Sequence, residues 1–459
     1  MSRQSSRTLW SPGAELDALM LAYTIGDDRE WDKHLLAWDV LGSLGHVEGL
    51  RASGLITRRD HAKLRAGLRA AFRAVRRGRL VIGPEHEDVH SAVELWLTRR
   101  VGAAGERLHT GRSRNDQVTG DLRLYLKDSL LALQVRALGV VAALLLLAEL
   151  HRDALWPGYT HTRKAMPSSA GLWAAAFAEG ILDTVEGLPA LWARVNRSPL
   201  GSAAGYGVPL PLDREATARA LGFAGLDHNV AAVQNGRGKL EADALFWCVQ
   251  LGHELAKLSS DVILYSGDEF GLLRLPARLA TGSSIMPHKR NPDLFELTRA
   301  RVAAVEGDLA AVLAIRSKLG SGYHRDFQHL KEPLIRGLGR TQDMLEMLAI
   351  AIPQLEVNRD QGLDALAGGA LATDEVMRRV DAGVPFRRAY REVAAALRRG
   401  ERFPAPSPRA LLSRRRSAGG VGRLGLEKAW RRFDRARRWS DAELTAFHAA
   451  MDRLVGRGR

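Results

Sequence analysis

Helical periodicity of apolar residues dominates this 459-residue chain. Five stretches of about 25 to 40 residues repeat apolar side chains at helical spacing, while convincing pairs of strands are absent. Their faces are broadly apolar, as at Leu144–Leu147, which indicates burial on several sides. We therefore predict an all-α fold with a long central five-helix bundle that buries further surface in an oligomer. The five stretches cover about 113–152, 168–194, 239–266, 292–318 and 330–357.

Shorter helical patterns flank the long ones on both sides. The capping box Thr57–Asp60 opens one of the first group, and a stiff linker at Pro404–Pro408 divides the last group. We predict an N-terminal helical domain over 1–108, a central long-helix domain over 109–357 that carries most site residues, and a small C-terminal helical domain over 358–459.

The charge of the chain leaves its class of partner open. A net charge of +15 is compatible with a nucleic-acid partner, with attraction of an anionic substrate, or with a solvated basic surface. The sequence contains no recognisable nucleic-acid module and no basic stripe interleaved with aromatic residues. We therefore expect a solvated basic surface and no nucleic-acid partner.

The single cysteine and the apolar runs favour a cytoplasmic protein. Cys248 excludes an internal disulfide, and its apolar neighbours favour a buried, inert thiol. Met1–Gln4 lacks the apolar run of a signal peptide, and the longest apolar run, Ala137–Ala148, is too short to span a bilayer. We expect no membrane association. Metal-ligand spacings and phosphate-binding glycine motifs are also missing, so we expect neither metal nor cofactor.

Thr281–Pro292 is the first candidate part of a functional site. Its pattern predicts a glycine-hinged loop that enters a helix at Pro292, with Asn291 as the N-cap. Lys289 and Arg290 precede a helix N-terminus that is already electropositive, which suits a carboxylate or a phosphate. From these residues alone, an ordinary capped surface loop explains the pattern equally well.

Three further polar clusters are candidate parts of the same site. Arg112 and Arg114 open the longest helix and suit a carboxylate, although local pairing with Asp116 and Asp121 explains them as well. His161 is a candidate general acid or base, although a lone histidine is more often an ordinary surface or hydrogen-bonded residue. The third cluster lies before the last long helix and comprises Tyr323 and Asp326–Lys331.

Taken together, these motifs are similar to those of one enzyme family. Gly282–Pro292 carries every fixed residue of the signature G-S-S-x-M-P-x-K-x-N-P of the fumarase/aspartase superfamily. His109–Gln117 resembles the T-G-R-S-R-N-D-Q stretch of argininosuccinate lyases, and the resemblance to that family extends from about Asp32 to Tyr390. Likenesses to its G-Y-T-H, S-P-L-G and K-G-V-P-F-R segments lie at 158–161, 198–201 and 382–387.

The resemblance implies a fold, an assembly and a reaction. The fold is the three-domain fumarase/aspartase-like one, and its central helices pack in a homotetramer in which each active site is built from three chains. The reaction is the non-hydrolytic elimination of argininosuccinate to arginine and fumarate, the last step of arginine biosynthesis.

The resemblance also implies roles for individual residues. Ser283 is the base that takes a proton from the succinyl part, while Lys289 and Asn291 hold the developing aci-carboxylate. His161 is the general acid toward the leaving nitrogen, and Glu296 holds its imidazole. The remaining positions that contact substrate in the family are Asp28, Arg114, Asn115, Thr160, Arg237, Tyr323, Gln328 and Lys331.

Departures from the family pattern occur at four places. Asp28 stands where a substrate-contacting serine is usual, and His329-Leu330 replaces an acidic Glu-Asp pair. His288 and Tyr390 replace a glutamine and a histidine. These departures leave open a sister lyase that acts on another N-substituted succinate. The alternative from a different class is a non-catalytic structural homologue, as found among lens crystallins.

Overall fold

The structure is a computed structural model that describes residues 18–403 and 406–456. Within these residues the fold is all-α, as predicted, and its β-structure is limited to three two-stranded sheets and one isolated bridge. Five helices precede the bundle: α1 (Ala18–Ile25), α2 (Asp28–Asp32), α3 (Leu36–Ala52), α4 (Arg58–Arg76) and α5 (Val89–Val101).

Five long helices form the central bundle and confirm the predicted architecture, because their facing apolar side chains build the main core. The last of them ends earlier than predicted, before Pro353, whose ring nitrogen has no hydrogen to donate to the helix. The long helices are α6 (Arg114–Leu150), α7 (Ala170–Val195), α10 (Lys239–Tyr265), α11 (Asp293–Arg316) and α12 (Lys331–Ala351), with the short α8 (Arg214–Ala220) and α9 (Val230–Asn235) lying between α7 and α10.

The C-terminal region departs from the prediction of short helices. Its helices are α13 (Arg359–Ala365), α14 (Ala372–Asp381), α15 (Phe386–Arg398), α16 (Pro408–Arg414) and α17 (Leu426–Val455). Helix α17 has 30 residues and packs on α6 and α7 as well as on α3. It therefore joins all three predicted domains, whose boundaries stay a prediction.

The predicted linker Pro404–Pro408 is only partly described. Pro404 and Ala405 lie outside the described residues, and Pro408 already belongs to α16. Ser407 is the N-cap of that helix, since its Oγ accepts a hydrogen bond from the backbone N–H of Ala410 at 3.3 Å. The second half of the segment is therefore the start of a helix.

A β-hairpin follows α6, so the expectation that paired strands are absent was wrong. Strand β1 (Leu155–Thr160) pairs antiparallel with β2 (Arg163–Ser169), and His161 and Thr162 form the turn. Both turn residues have positive φ angles, 49° and 57°, as a two-residue hairpin turn requires. The other two sheets pair β3 (Arg197–Ser198) with β4 (Gly225–Leu226), and β5 (Leu273–Arg274) with β6 (Glu356–Val357).

The start of α11 also differs from the prediction. The first helical residue is Asp293, so Pro292 precedes the helix instead of beginning it. Asn291 is not the N-cap, because its backbone pairs with Thr281 in both directions: Asn291 N donates to Thr281 O at 2.9 Å, and Thr281 N donates to Asn291 O at 3.2 Å. This bridge closes residues 281–291 into a loop at the entrance to α11.

Helix α6 runs along the bundle from one end to the other. We call the end of the bundle at the N-terminus of α6 the cavity end. The residues just before α10 lie there too, because Arg237 donates to Thr119 Oγ1 of α6 at 3.4 Å. Beyond its C-terminus, the hairpin packs on the last turn of α10, where the rings of Tyr159 and Tyr265 lie 5.8 Å apart, and we call this the hairpin end. At 1.5 Å per residue, the 37 residues of α6 hold the two ends roughly 55 Å apart.

Burial explains the apolar character of α6 and α10. Among the described residues, α6 is the one helix long and apolar enough to cross a membrane, but 67% of its most apolar window is buried inside the protein. Helices α7, α12 and α17 cover it. On α10, Cys248 is buried, and burial raises the pKa of its thiol to about 12, as expected of an inert thiol.

Candidate active site

A cavity of about 290 Å³ opens at the cavity end of the bundle. Five of the predicted substrate-binding residues line it: Asp28, Arg114, Asn115, Tyr323 and Gln328. The other lining residues are Ile25, Glu87, Asp88, His90, Val118 and Arg325. Side chains from four distant parts of the sequence therefore meet in one place.

The N-terminal cap of α6 positions the first residues of the cavity wall. Ser113 is the N-cap, and its backbone N–H donates to Asp116 Oδ1 at 3.0 Å, so the predicted capping box is confirmed. The other oxygen of Asp116 accepts from the backbone N–H of Gly201 at 3.0 Å, which ties α6 to the 198–201 turn. This double anchor holds Arg114 and Asn115 at the cavity.

Arg114 pairs with carboxylates outside its own helix. Its Nη1 lies 2.7 Å from Asp88 Oδ2 and 3.2 Å from Glu87 Oε2, both on the segment before α5. Arg112 is buried and donates to Ser43 Oγ at 2.9 Å. The local alternative holds in part for Arg112, on which Asp116 and Asp121 act electrostatically, whereas Arg114 connects two walls of the cavity.

Lys331, at the start of α12, holds two aspartates of α2. Its Nζ lies 2.5 Å from Asp28 Oδ1 and 2.6 Å from Asp32 Oδ1. Burial disfavours the ionised form of Asp28, and Lys331 offsets only part of this effect, so the pKa of Asp28 rises to about 6. Burial also opposes the ammonium of Lys331, but the two carboxylates outweigh it and raise the pKa of Lys331. Asp28 therefore changes charge close to neutral pH.

Gln328 and Tyr323 close the cavity from the segment before α12. Gln328 Nε2 donates to the backbone oxygens of Thr24 at 3.2 Å and Ile25 at 3.0 Å, and so fastens α1 over the site. The ring of Tyr323 packs edge-on against Phe327 with 5.9 Å between ring centroids. Both side chains line the cavity, and their contact with substrate stays a prediction.

Arg237 lies behind the cavity and does not line it. Its guanidinium is buried, stacks on the ring of Phe327 at 5.3 Å, and pairs with Glu241 at 3.3 Å. It thus supports the segment that carries Gln328. Its predicted contact with substrate stays a prediction.

Sequence analysis missed the charged group beneath the cavity. His90 lines the cavity, and its Nδ1 lies 2.5 Å from Asp39 Oδ2 and 3.8 Å from Asp121 Oδ2. Burial lowers the pKa of the imidazole, but Asp39 outweighs burial and raises it. Among the described residues these three side chains form the one group with metal-ligand spacing, and the hydrogen bond between His90 and Asp39 accounts for that spacing. The only sequence signal was the acidic Glu87-Asp88 pair before His90, because both buried partners lie far along the chain.

The loop 281–291 lies at the opposite end of the bundle. Arg278, just before it, donates to Gln354 beyond the end of α12. Within the loop, Ser283 Oγ accepts hydrogen bonds from the backbone N–H groups of Ile285 at 3.3 Å and Met286 at 3.1 Å. Two such donors favour an oxygen that carries negative charge.

The remaining catalytic candidates are exposed in the single chain. Thr160 and His161 stand at the hairpin tip, Lys289 lies on the loop, and Glu296 lies in the first turn of α11. The imidazole of His161 has no hydrogen-bond partner among the described residues, so its pairing with Glu296 stays a prediction. Asn291, half-buried, donates through Nδ2 to Gly282 O at 3.4 Å. These groups lie at the hairpin end, far from the cavity.

Comparisons with known proteins agree on one family. A family model described as a lyase matches residues 23–307. The chain is 41% identical over 402 residues to an argininosuccinate lyase of Parabacteroides distasonis, covering 88% of this chain and 90% of that protein. It is 43% identical over 427 residues to an argininosuccinate lyase of Sorangium cellulosum, covering 93% and 98%.

Solved structures support the same fold. EDDS lyase in complex with formate superposes with a TM-score of 0.80 at 23% identity, covering 96% of this chain and 95% of that one. A class II fumarase from Schistosoma mansoni gives a TM-score of 0.70 at 15% identity, covering 83% and 89%. At these identities the likeness establishes the fold alone.

Proposed function

The chain belongs to the argininosuccinate lyase family of the fumarase/aspartase superfamily, and we propose that it splits argininosuccinate into arginine and fumarate at sites shared between copies of the chain. The observation that carries the proposal is the cavity at the start of α6, where Asp28, Arg114, Asn115, Tyr323 and Gln328 converge with Lys331 behind Asp28. The signature loop with Ser283 supplies the chemistry from the other end of the bundle.

The charges of the cavity suit a substrate with charges of both signs. Asp28, Glu87 and Asp88 supply carboxylates, while Arg114 and Arg325 supply guanidiniums. Argininosuccinate carries an ammonium and a guanidinium as well as three carboxylates, so it offers groups of opposite charge both to the carboxylates and to the guanidiniums of the wall. A wholly anionic substrate would leave the three carboxylates of the wall opposed to its own charge.

The reaction needs a base, a cationic cradle and an acid. Ser283 Oγ, as the alkoxide held by the N–H groups of Ile285 and Met286, takes the proton from the succinyl carbon next to the carboxylate. Lys289 and Asn291 bind the aci-carboxylate that forms. Its electron pair then makes the carbon–carbon double bond of fumarate as the carbon–nitrogen bond breaks, and His161 gives a proton to the departing nitrogen.

The length of α6 supports a site shared between copies of the chain. The cavity and Ser283 lie at opposite ends of a helix roughly 55 Å long, several times the length of an amino-acid substrate. A second copy that runs antiparallel along α6 brings its hairpin end to the cavity end of the first. We propose a homotetramer in which three chains build each site, one giving the cavity, one the hairpin and one the signature loop.

Exposed apolar side chains on the long helices support this assembly. Helix faces that stay in water rarely carry this many large apolar side chains, and packing against a second bundle would remove these side chains from water. These residues are Leu146 and Leu150 on α6, Phe246 on α10, Leu297 and Leu313 on α11, and Met347 and Ile350 on α12. A cytoplasmic location is part of the same proposal and is supported by the single, buried Cys248.

The function is tested by measuring release of fumarate through its ultraviolet absorbance. Argininosuccinate, adenylosuccinate and ethylenediaminedisuccinate are offered separately to the purified oligomer. We expect turnover with argininosuccinate alone. Turnover with ethylenediaminedisuccinate instead would identify a sister lyase on another N-substituted succinate, the alternative that the replacement of a serine by Asp28 raises. Release from none of the three would contradict the proposed function.

The pKa of Asp28 predicts a specific pH dependence. Because burial raises that pKa to about 6, Asp28 is ionised above pH 6 and can pair with a cationic group of the substrate, whereas below pH 6 it is neutral. We expect kcat/KM to fall as the pH drops through about 6, and Asp28→Asn to lower kcat/KM about tenfold at pH 8 and to remove this pH-dependent step.

The exposed neighbour Asp27 provides the matched control for this experiment. Asp27→Asn removes the same charge one residue away and should keep both the value and the pH profile of kcat/KM. A step near pH 6 that persists in Asp28→Asn would assign the titration to another group.

A further inference from the structure

A second cavity, unrelated to the catalytic residues, is lined by arginines. It measures about 300 Å³ and lies between α4, the turn that follows it and the second half of α5. The indole of Trp96 and the small side chains of Ala70 and Ala74 form part of its wall. The rest of the wall comes from four arginines: Arg73, Arg77, Arg79 and Arg100. None of its lining residues lines the catalytic cavity.

The four arginines are exposed, and their charges are not neutralised by a neighbouring carboxylate. No ion pair or hydrogen bond joins any of their guanidiniums to a described residue, whereas Arg65 on the same helix pairs with Glu48 at 3.0 Å. No carboxylate lines the cavity. The four side chains are exposed, so solvent screens part of their mutual repulsion, and an anion in the cavity would neutralise the rest.

The shape of the arginine cavity adds a planar partner to this charge. Trp96 is half-buried and packs on the N-terminal core, so its ring is held in place, and the guanidinium of Arg100 lies 5.2 Å from the ring centroid. An indole and a stacked guanidinium offer flat surfaces to an aromatic ring, while forked guanidiniums suit phosphate oxygens. A volume of about 300 Å³ is within the range of small-molecule sites.

We propose that this cavity binds a nucleoside triphosphate, with the phosphate chain on Arg73, Arg77 and Arg79 and the base against Trp96 and Arg100. The phosphate chain carries negative charge comparable to the four arginines, and the base uses the planar surface that an inorganic anion would leave vacant. The proposal does not depend on the lyase activity, because it involves none of the catalytic groups.

The test is calorimetric titration of the full-length oligomer with ATP and, separately, with inorganic tripolyphosphate. We expect saturable binding of ATP and binding of tripolyphosphate at least about tenfold weaker. The double variant Arg73→Gln/Arg79→Gln should bind ATP at least about tenfold more weakly, because it lacks two charge-assisted contacts to the phosphates. Trp96→Leu should lower the affinity for ATP to the affinity that the unaltered chain has for tripolyphosphate.

The matched control is Arg58→Gln combined with Arg59→Gln, which removes two exposed arginines from the other end of α4. Its ATP affinity should equal that of the unaltered chain. The absence of saturable binding would overturn the proposal. Equal losses in both double variants would also overturn it, because they would indicate attraction by net charge alone. Preference for single-stranded oligonucleotides with a steep salt dependence would assign the patch to nucleic acid instead.

Discussion

Replacing Ser283 with alanine is expected to lower kcat roughly a thousandfold while fold, oligomer size and substrate affinity stay close to those of the unaltered chain. The side chain removed is the proposed base, and among the described residues its oxygen accepts hydrogen bonds from the backbone N–H groups of Ile285 and Met286 alone. The loop is exposed there, so water can satisfy both donors after the change. Substrate binding is little affected because the cavity residues are untouched.

Ser284 makes this experiment specific. It is the adjacent hydroxyl, it is exposed, and Ser284→Ala removes the same group one residue away. Fumarate release at saturating argininosuccinate gives kcat, and size-exclusion chromatography with thermal unfolding checks the assembly. A kcat close to that of the unaltered chain in Ser283→Ala, or an equal loss in Ser284→Ala, would remove Ser283 from the role of base.

The long helices could be predicted from the sequence because their signal is local and repeated. The apolar pattern predicted α10 over 239–266, and the structure places it at Lys239–Tyr265. The capping box at Ser113 was predicted for the same reason, since both of its members lie within four residues. The 30 residues of α17 were missed because its arginine-rich face obscured a narrow apolar stripe.

The hairpin was missed because its sequence lacks the usual signals of strands. Strand β1 contains Pro157 and Gly158, and its pairing is irregular between Pro157 and Tyr159. Its turn uses His161 and Thr162 where Asn-Gly is the recognised pattern. The predicted N-cap failed for a related reason, because the backbone of Asn291 pairs with Thr281, a contact across ten residues that helical capping rules do not consider.

Motifs in the sequence indicated which residues belong to the candidate site, but they did not indicate which of these residues form ion pairs with one another. Motifs identified Asp28 and Lys331 separately, yet only the fold brings their charged atoms to 2.5 Å. The pairing of His90 with Asp39 was likewise invisible, because a buried ion pair leaves no periodic pattern in sequence.

Two inactive variants are expected to restore activity when they are mixed, because the proposed site draws its two ends from different copies. Asn115→Leu damages the cavity end, and the side chain of Asn115 forms no hydrogen bond with a described residue, so the change leaves no partner unpaired. Ser283→Ala damages the hairpin end. In a randomly mixed oligomer about a quarter of the sites receive an undamaged version of both ends.

The decisive measurement is fumarate release by oligomers that contain both variants, isolated through a different affinity tag on each. The account predicts that each variant alone is nearly inactive and that the mixed oligomers recover about a quarter of the unaltered activity per site. Oligomers of Ser283→Ala with the double variant Asn115→Leu/Ser283→Ala, which lack any intact base, should stay inactive. Mixed oligomers that form but remain as inactive as each variant alone would show that each chain builds its own site, and would contradict the account.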